Sequence, residues 1–261
     1  MEKQLLKIGK IGGNVINDDI ALSLFLKGFA AIEGPKILIH GGGKKATQVS
    51  EAMGFQPQMI NGRRVTDAAT VEVVTMVYAG LLNKNITAQL QKYNCNALGL
   101  SGADANCILA HKRIVTTIDY GFAGDVDAIN YEFINVLLQN NITPVFCAIT
   151  HDKNGQLLNT NADTIASEVA IAMSNLYHTE LNFIFELKGV LSTFEDKNSV
   201  ITHINAEKYK DLVSEGIIAD GMIPKLHNCF NALEKGVAKV KIGDASMINK
   251  ANKLYTTISL K

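Results

Sequence analysis

The chain has 261 residues, 25 Lys and Arg against 25 Asp and Glu, and 47% apolar residues, enough for one large α/β domain or two lobes sharing a sheet. Zero formal net charge argues against a nucleic-acid or acidic-surface partner, and no apolar stretch approaches the ~20 residues of a membrane span. The first residues, MEKQLLKIGK, lack a signal-peptide core, and Cys95, Cys107, Cys147 and Cys229 form no C-x-x-C pair, so reduced thiols in a cytoplasmic protein are expected.

In chain order, Lys3–Ile8 is apolar enough for a first strand, which Gly9-Lys10-Ile11-Gly12-Gly13 then breaks. Asp18–Ile32 has helical spacing with Asp18 or Asp19 as cap. Lys36-Ile37-Leu38-Ile39 is a short continuous apolar run, the mark of a strand buried on both faces. Gly41-Gly42-Gly43 follows it, and Lys44–Met53 reads as a helix. Phe55–Val65 is irregular. Thr66 or Asp67 caps a long helical region to about Tyr93, with a break near Gly80 or Asn83. Ala97–Leu100 is a strand, Ile108–Ile118 a strand pair, and Gly121–Val126 a turn. Tyr131–Gln139 is a helix and Pro144-Val145-Phe146 opens a strand. His151-Asp152-Lys153-Asn154-Gly155 is a hairpin turn, and a helix runs on through Met173. Leu181–Phe185 and Val237–Ile242 are strands, and Ala206–Glu215 and Met222–Lys235 helices. Strands alternate with helices almost throughout, which predicts a mostly parallel sheet covered on both sides.

Four constellations carry chemistry. A strand, a glycine turn and a helix start make an anion cradle, because inward-turned N–H groups and the helix N-terminus both favour negative charge. The same group of residue types occurs twice, at Gly9–Gly13 and at Gly41–Gly43, each with a lysine beside it. Ligands of parallel α/β sheets sit at the carboxyl ends of the strands, so Lys10 is expected on the rim that holds Gly42 and Gly43. A dinucleotide site is disfavoured because no acidic residue ends a second strand about 20 residues on. A Walker loop is excluded because neither Gly-Lys pair precedes Ser or Thr.

Asn61-Gly62-Arg63-Arg64-Val65-Thr66 is the second constellation. An arginine pair beside a tight turn is most often solvated surface, yet arginine is suited to bidentate carboxylate recognition. Leu158-Asn159-Thr160-Asn161-Ala162-Asp163 is the third, with more polar residues than a single helix cap needs. In the fourth, Asp220-Gly221-Met222-Ile223-Pro224-Lys225, a lysine in the first turns of a helix opposes the dipole and calls for an anionic partner, such as phosphate or Asp163.

Taken together and in this order, the motifs resemble the amino acid kinase family, and within it the acylglutamate kinases, over roughly Leu5 to Asp244. The resemblance implies an open, mainly parallel sheet sandwiched between helices in three αβα layers. Residues 1–178 would form the lobe for the amino acid and for dimerisation, and residues 179–261 the lobe for ATP. It implies ATP-dependent phosphorylation of the γ-carboxylate of an N-acylated glutamate, N-acetyl-L-glutamate of arginine biosynthesis first. N-succinyl-L-glutamate and other amino acid carboxylates are alternatives, as is a non-catalytic regulator on the same fold. Lys10 and Lys225 would neutralise the transferring phosphoryl group and Asp163 would orient them. Gly12, Gly42 and Gly43 would offer N–H groups, and Arg64 and Asn159 would hold the α-carboxylate. Gly12, Gly13, Glu186, Leu187, Lys188, Gly189, Val190, Leu191, Ile217, Ile218 and Ala219 would line the nucleotide. Mg²⁺ would be bound mainly through the ATP phosphates, with no protein metal site.

The family pattern is not matched everywhere. Glu186 stands where Asp is usual, Ala123 where Val is usual, and Tyr255–Ile258 lacks a Gly-Thr pair. Arginine-inhibited members add an N-terminal helix that builds a hexamer. Only a short segment precedes Lys10, so a homodimer without arginine feedback is expected, with contact through Val73, Val74, Val77 and Leu81 of the long helical region; the alternative is that all four are intramolecular core.

Overall fold

The computed structural model describes residues 3–60, 62–218, 222–248 and 254–261. Strand β1 (Leu5–Ile11) runs on through Gly9 and Lys10, past the break its glycine predicts. Gly9 stays extended because it is paired on both sides, in register with Leu38 and Asn182, and it lies against the Phe29 ring, where an added Cβ would come 3.4 Å from Cε2. Helices α1 (Gly13–Ile16) and α2 (Asp19–Ala30) follow, and Asp18 caps α2 by accepting from the N–H groups of Ile20 and Ala21. Strand β2 (Lys36–His40) is buried along its whole length, and α3 (Gly43–Ala52) starts on the third glycine.

The stretch expected to be irregular contains a small antiparallel pair, β3 (Met59–Ile60) with β4 (Arg63–Arg64). Gly62 supplies the positive φ, +73°, beside its turn; Asn61 lies outside the described residues. Asp67 caps the long helical stretch by accepting from the Thr70 N–H. That stretch is α4 (Ala68–Thr75), a π-helical segment Met76–Leu82, and α5 (Asn83–Lys92). The expected break is therefore a change of winding. Val73, Val74 and Val77 are core residues of this one chain, which corrects their assignment to a dimer contact; Met76 and Leu81 are the large apolar residues of the stretch that are exposed.

After β5 (Ala97–Leu100), β6 (Ile108–Lys112) pairs antiparallel with β7 (Ala123–Ile129). The strand pair expected within 108–118 and the turn expected at 121–126 are thus both displaced, since 113–122 is the connection. Gly124 suggested a turn but serves close approach. A Cβ there would lie 2.5 Å from Thr160 Oγ1.

Helix α6 (Tyr131–Gln139) and strand β8 (Thr143–Cys147) precede the expected hairpin of β9 (Ile149–His151) and β10 (Leu157–Thr160). Its turn is tied by Asp152, which accepts from the N–H groups of Asn154 and Gln156. Next come α7 (Ala162–Met173), β11 (His178–Ile184), β12 (His203–Ile204), α8 (Ala206–Ser214), α9 (Met222–Glu234), β13 (Lys239–Gly243) and β14 (Thr256–Ile258).

Eight strands form one sheet in the order β12-β14-β13-β11-β1-β2-β8-β5. All neighbours in it are parallel except β13 and β14. A four-stranded closed barrel, β10-β7-β6-β9, stands beside it. The sheet is open and mainly parallel, as the alternation of elements predicts. β1 is central, and the carboxyl ends of β2, β1, β11 and β13 line one rim. Phe25, Phe29, Phe146 and Phe183 are the largest fully buried side chains.

Candidate active site

Strand β1 carries Lys10 to the rim, in register with Ile39 of β2 and Phe183 of β11. Asp163 is the second residue of α7, held there by Asn161, whose side chain accepts from the N–H groups of Asp163 and Thr164. Lys10 Nζ lies 2.7 Å from Asp163 Oδ1, with only 12% and 18% of the two side chains exposed. Burial pushes the Asp163 carboxyl up; the ammonium of Lys10, and after it that of Lys225, outweighs burial and holds the group below the usual carboxylate range. Lys225, from α9, has its Nζ 4.7 Å from the centroid of the Phe185 ring. Lysines from opposite ends of the chain thus bear on one carboxylate. Two ammonium groups against one carboxylate leave an excess positive charge in a largely desolvated cleft, and an anion is what such a site lacks.

The glycine turn closes the other wall. A Cβ on Gly41 would meet Ala162 Cβ at 3.8 Å, so the turn lies against the start of α7. Gly42 tolerates no side chain, because a Cβ would come 2.5 Å from Leu82 Cδ1 and 2.8 Å from Tyr78 Cδ1. Among the described residues, neither the Gly42 nor the Gly43 N–H has a protein acceptor. The Gly12 N–H does have one, the Ile184 carbonyl at 3.1 Å. Its expected service as a free donor is therefore corrected: it fastens β1 to β11. Gly13 opens α1, and Lys44 Nζ donates to Asn14 Oδ1, tying the two glycine turns together.

Arg64 is buried, 8% exposed, rather than solvated. Its Nη2 donates to the Gly43 carbonyl at 2.9 Å and to Thr47 Oγ1 at 2.7 Å. Among the described residues its Nη1 is buried without an acceptor, a costly state for a charged donor and one that a carboxylate would relieve. Asn159 lies on β10, where its Nδ2 donates to Thr66 Oγ1 at 3.0 Å, and that hydroxyl donates to the Arg64 carbonyl at 3.3 Å. Thr66 thereby links Asn159 to the arginine.

The loop after β11 holds the expected nucleotide residues in two groups. Glu186 is exposed, Leu187 and Lys188 are half-buried, and Lys188 Nζ donates to Asn198 Oδ1 at 2.6 Å. Gly189, Val190 and Leu191 are buried: the Val190 N–H donates to Thr256 Oγ1 at 2.8 Å, and Leu191 bridges Val200. They support the loop from beneath. Ile217 is exposed and Ile218 buried, while Ala219, Asp220 and Gly221 lie outside the described residues. A cavity of about 1470 Å³ starts between Asn14, Phe185, Glu186 and Asp244 and runs along α2 to Pro35.

Tyr78, Thr47 and Thr256 were missed by sequence reasoning. Thr47 had a signal, the four-residue spacing from Gly43 on a helix start. Tyr78 had none, because its direction depends on the π-helical winding. Among the described residues no group of three or more His, Cys, Asp and Glu is placed to hold a metal, and no helix is long and apolar enough to cross a membrane.

Residues 6–244 match the amino acid kinase family. The chain is 53% identical over 246 residues to the acetylglutamate kinase of Cytophaga hutchinsonii, covering 94% of this chain and 93% of that one. It is 49% identical over 250 residues to the acetylglutamate kinase of Phocaeicola vulgatus, covering 96% and 97%. Among solved structures, smu.665 from Streptococcus mutans aligns with a TM-score of 0.78 at 25% identity, covering 98% of this chain and 99% of that one.

Proposed function

The chain belongs to the amino acid kinase family, and from that premise we propose that it transfers the γ-phosphoryl group of ATP to the γ-carboxylate of N-acetyl-L-glutamate, in arginine biosynthesis. The observation that carries this reading is the convergence of Lys10 and Lys225 on Asp163. The acceptor is a carboxylate, already ionised at neutral pH, so the reaction asks for no general base. It asks instead that two anions be brought together and that charge on the equatorial oxygens of the transferring group be stabilised. Lys10 and Lys225 supply the positive charge, and Asp163 keeps both at one place. The free N–H groups of Gly42 and Gly43 point donors at the same oxygens. Arg64 Nη1, with Asn159 joined to the arginine's backbone through Thr66, holds the α-carboxylate of the substrate and fixes which carboxylate is left to attack.

The donor set suits a Mg²⁺ that rides on the nucleotide, since Asp163 is engaged by Lys10 and oxygen-rich phosphates are what this hard cation prefers. It would shield the β- and γ-phosphate oxygens. Glu186, Leu187, Lys188 and Ile217 present the nucleotide-facing surface of the lobe formed by residues 179–261, and the lobe formed by residues 1–178 takes the acid. We also infer a cytoplasmic homodimer. The four buried free cysteines agree with a reducing compartment, and exposed Met76 and Leu81 are the proposed contact. Light scattering on the wild type and Leu81→Asp checks it: a dimer that the substitution splits is expected, and a monomeric wild type refutes it.

ADP release measured with N-acetyl- and N-succinyl-L-glutamate in parallel, with hydroxylamine trapping of the acyl phosphate, tests the function. A hydroxamate formed preferentially from the acetyl compound is expected. Preference for the succinyl compound, or no hydroxamate from either, would overturn the assignment.

A further inference from the structure

His40, the last residue of β2, is fully buried beside the glycine turn, yet phosphoryl transfer to a carboxylate calls for no histidine. Its neighbours fix its tautomer. Nδ1 lies 2.8 Å from the Gly41 carbonyl, which only accepts, so Nδ1 carries the hydrogen. Nε2 lies 3.1 Å from Asn83 Nδ2, which only donates, so Nε2 is bare. The Asn83 amide is itself oriented from both ends: Nδ2 donates to the Val145 carbonyl at 2.9 Å, and Oδ1 accepts from Lys84 Nζ at 3.2 Å. Burial pulls the imidazole pKa down to about 4, which keeps the ring neutral.

The Gly41 carbonyl and the Gly42 N–H belong to one peptide group. That group is planar and trans, so the two point in opposite directions. A ring that holds the carbonyl therefore turns the Gly42 N–H away from itself, and among the described residues that N–H has no protein acceptor. Glycine has little conformational preference of its own, and the three-glycine turn needs an outside hold if its donors are to be ready before substrate arrives.

We propose that His40 is a positioning residue for phosphoryl transfer: its neutral ring, held by Asn83 at the end of the π-helical segment, orients the Gly41–Gly42 peptide as an oxyanion donor. This rests on the kinase reading above. The π-helical winding is part of the device, because it brings Tyr78 and Leu82 against Gly42 while turning Asn83, the next residue, onto the imidazole.

The test uses the full-length wild type, His40→Asn, His40→Gln and His40→Leu. Asparagine places its amide nitrogen where Nδ1 lies and keeps the hold on Gly41; glutamine reaches the Nε2 position and loses it. His40→Gln and His40→Leu are expected to lose roughly 10²-fold in kcat with both KM values within about threefold of wild type, while His40→Asn stays within about tenfold in kcat. Folded variants that all keep wild-type kcat, fall equally, or change KM instead would overturn the proposal. A wild type that turns over no N-acetyl-L-glutamate refutes the kinase reading instead. A long-range 1H–15N spectrum of the wild type then decides the imidazole separately and needs no variant to fold. A neutral ring protonated at Nδ1 is expected; an Nε2–H tautomer or an imidazolium at neutral pH contradicts the proposal.

Discussion

Two glycine-containing loops end neighbouring stretches of the same rim, and they use glycine for opposite purposes. At Gly41–Gly43 the absent side chains let the turn press against Tyr78 and Leu82, and among the described residues the N–H groups of Gly42 and Gly43 have no protein acceptors. At Gly189 the absent side chain lets the loop sink onto Thr256 and Val200, and the adjoining Val190 N–H is satisfied from within by Thr256 Oγ1. One loop is unsatisfied and charged around its edge, with the excess cation of the Lys10, Asp163 and Lys225 cluster beside it. The other is closed and self-supporting. A buried donor without a partner is expensive, so the first loop reads as prepared for an anion and the second as scaffold for its own outer residues.

The contrast makes graded predictions. Lys10→Met is expected to lower kcat roughly 10³-fold and to lower the melting temperature too, because it leaves the buried Asp163 carboxylate without its ion-pair partner. Lys225→Met is expected to lower kcat roughly 10²-fold with a smaller loss of stability, as steady-state assays and a melting curve would show. Retained turnover in both would erase the distinction between the loops. Arg64→Met is expected to raise the KM for the acylated acid roughly 10- to 100-fold with a smaller effect on kcat, the scale of a charged hydrogen bond. Thr256→Val, on the closed side, is expected to cost about 1–3 kcal/mol of stability through the orphaned Val190 N–H, read by denaturant titration. The KM for ATP should move by less than about threefold. A large loss of kcat in Thr256→Val with stability intact would show that the closed loop takes part directly.

Most of the cleft was legible because its residues violate simple local rules. Lys225 opposes a helix dipole, Asn159–Asp163 has more polar groups than a cap uses, and consecutive glycines follow a buried strand. Arg64 was legible as a residue type, but its burial was not, since nothing local says that the β3–β4 pair folds over α3. The π-helical segment was half legible: Gly80 signals an interruption, but nothing in Met76–Leu82 says whether the helix breaks or rewinds there, so the facing of Tyr78 and Asn83 was hidden. The pairing of β6 with β7 across ten residues was misread because Gly124 marks close contact with Thr160, and Gly121, with φ +67°, lies at the end of the connection. Gly12 shows the converse: a glycine beside a lysine at a strand end reads as a phosphate donor, but its N–H is spent on Ile184.

Because the folded Asp163 carboxyl titrates below its ordinary value, it binds fewer protons than in the unfolded chain around that pH. Its stabilising contribution is therefore full above about pH 4 and is lost as the pH falls through the folded value. Titration of that carboxyl by 13C NMR in the wild type, Lys10→Met and Lys225→Met tests the convergence of the two lysines most directly. The wild-type carboxyl should titrate below the normal range, rise most in Lys10→Met, and rise also in Lys225→Met. A carboxyl unmoved by the loss of Lys225 would place that lysine elsewhere and contradict the single cleft.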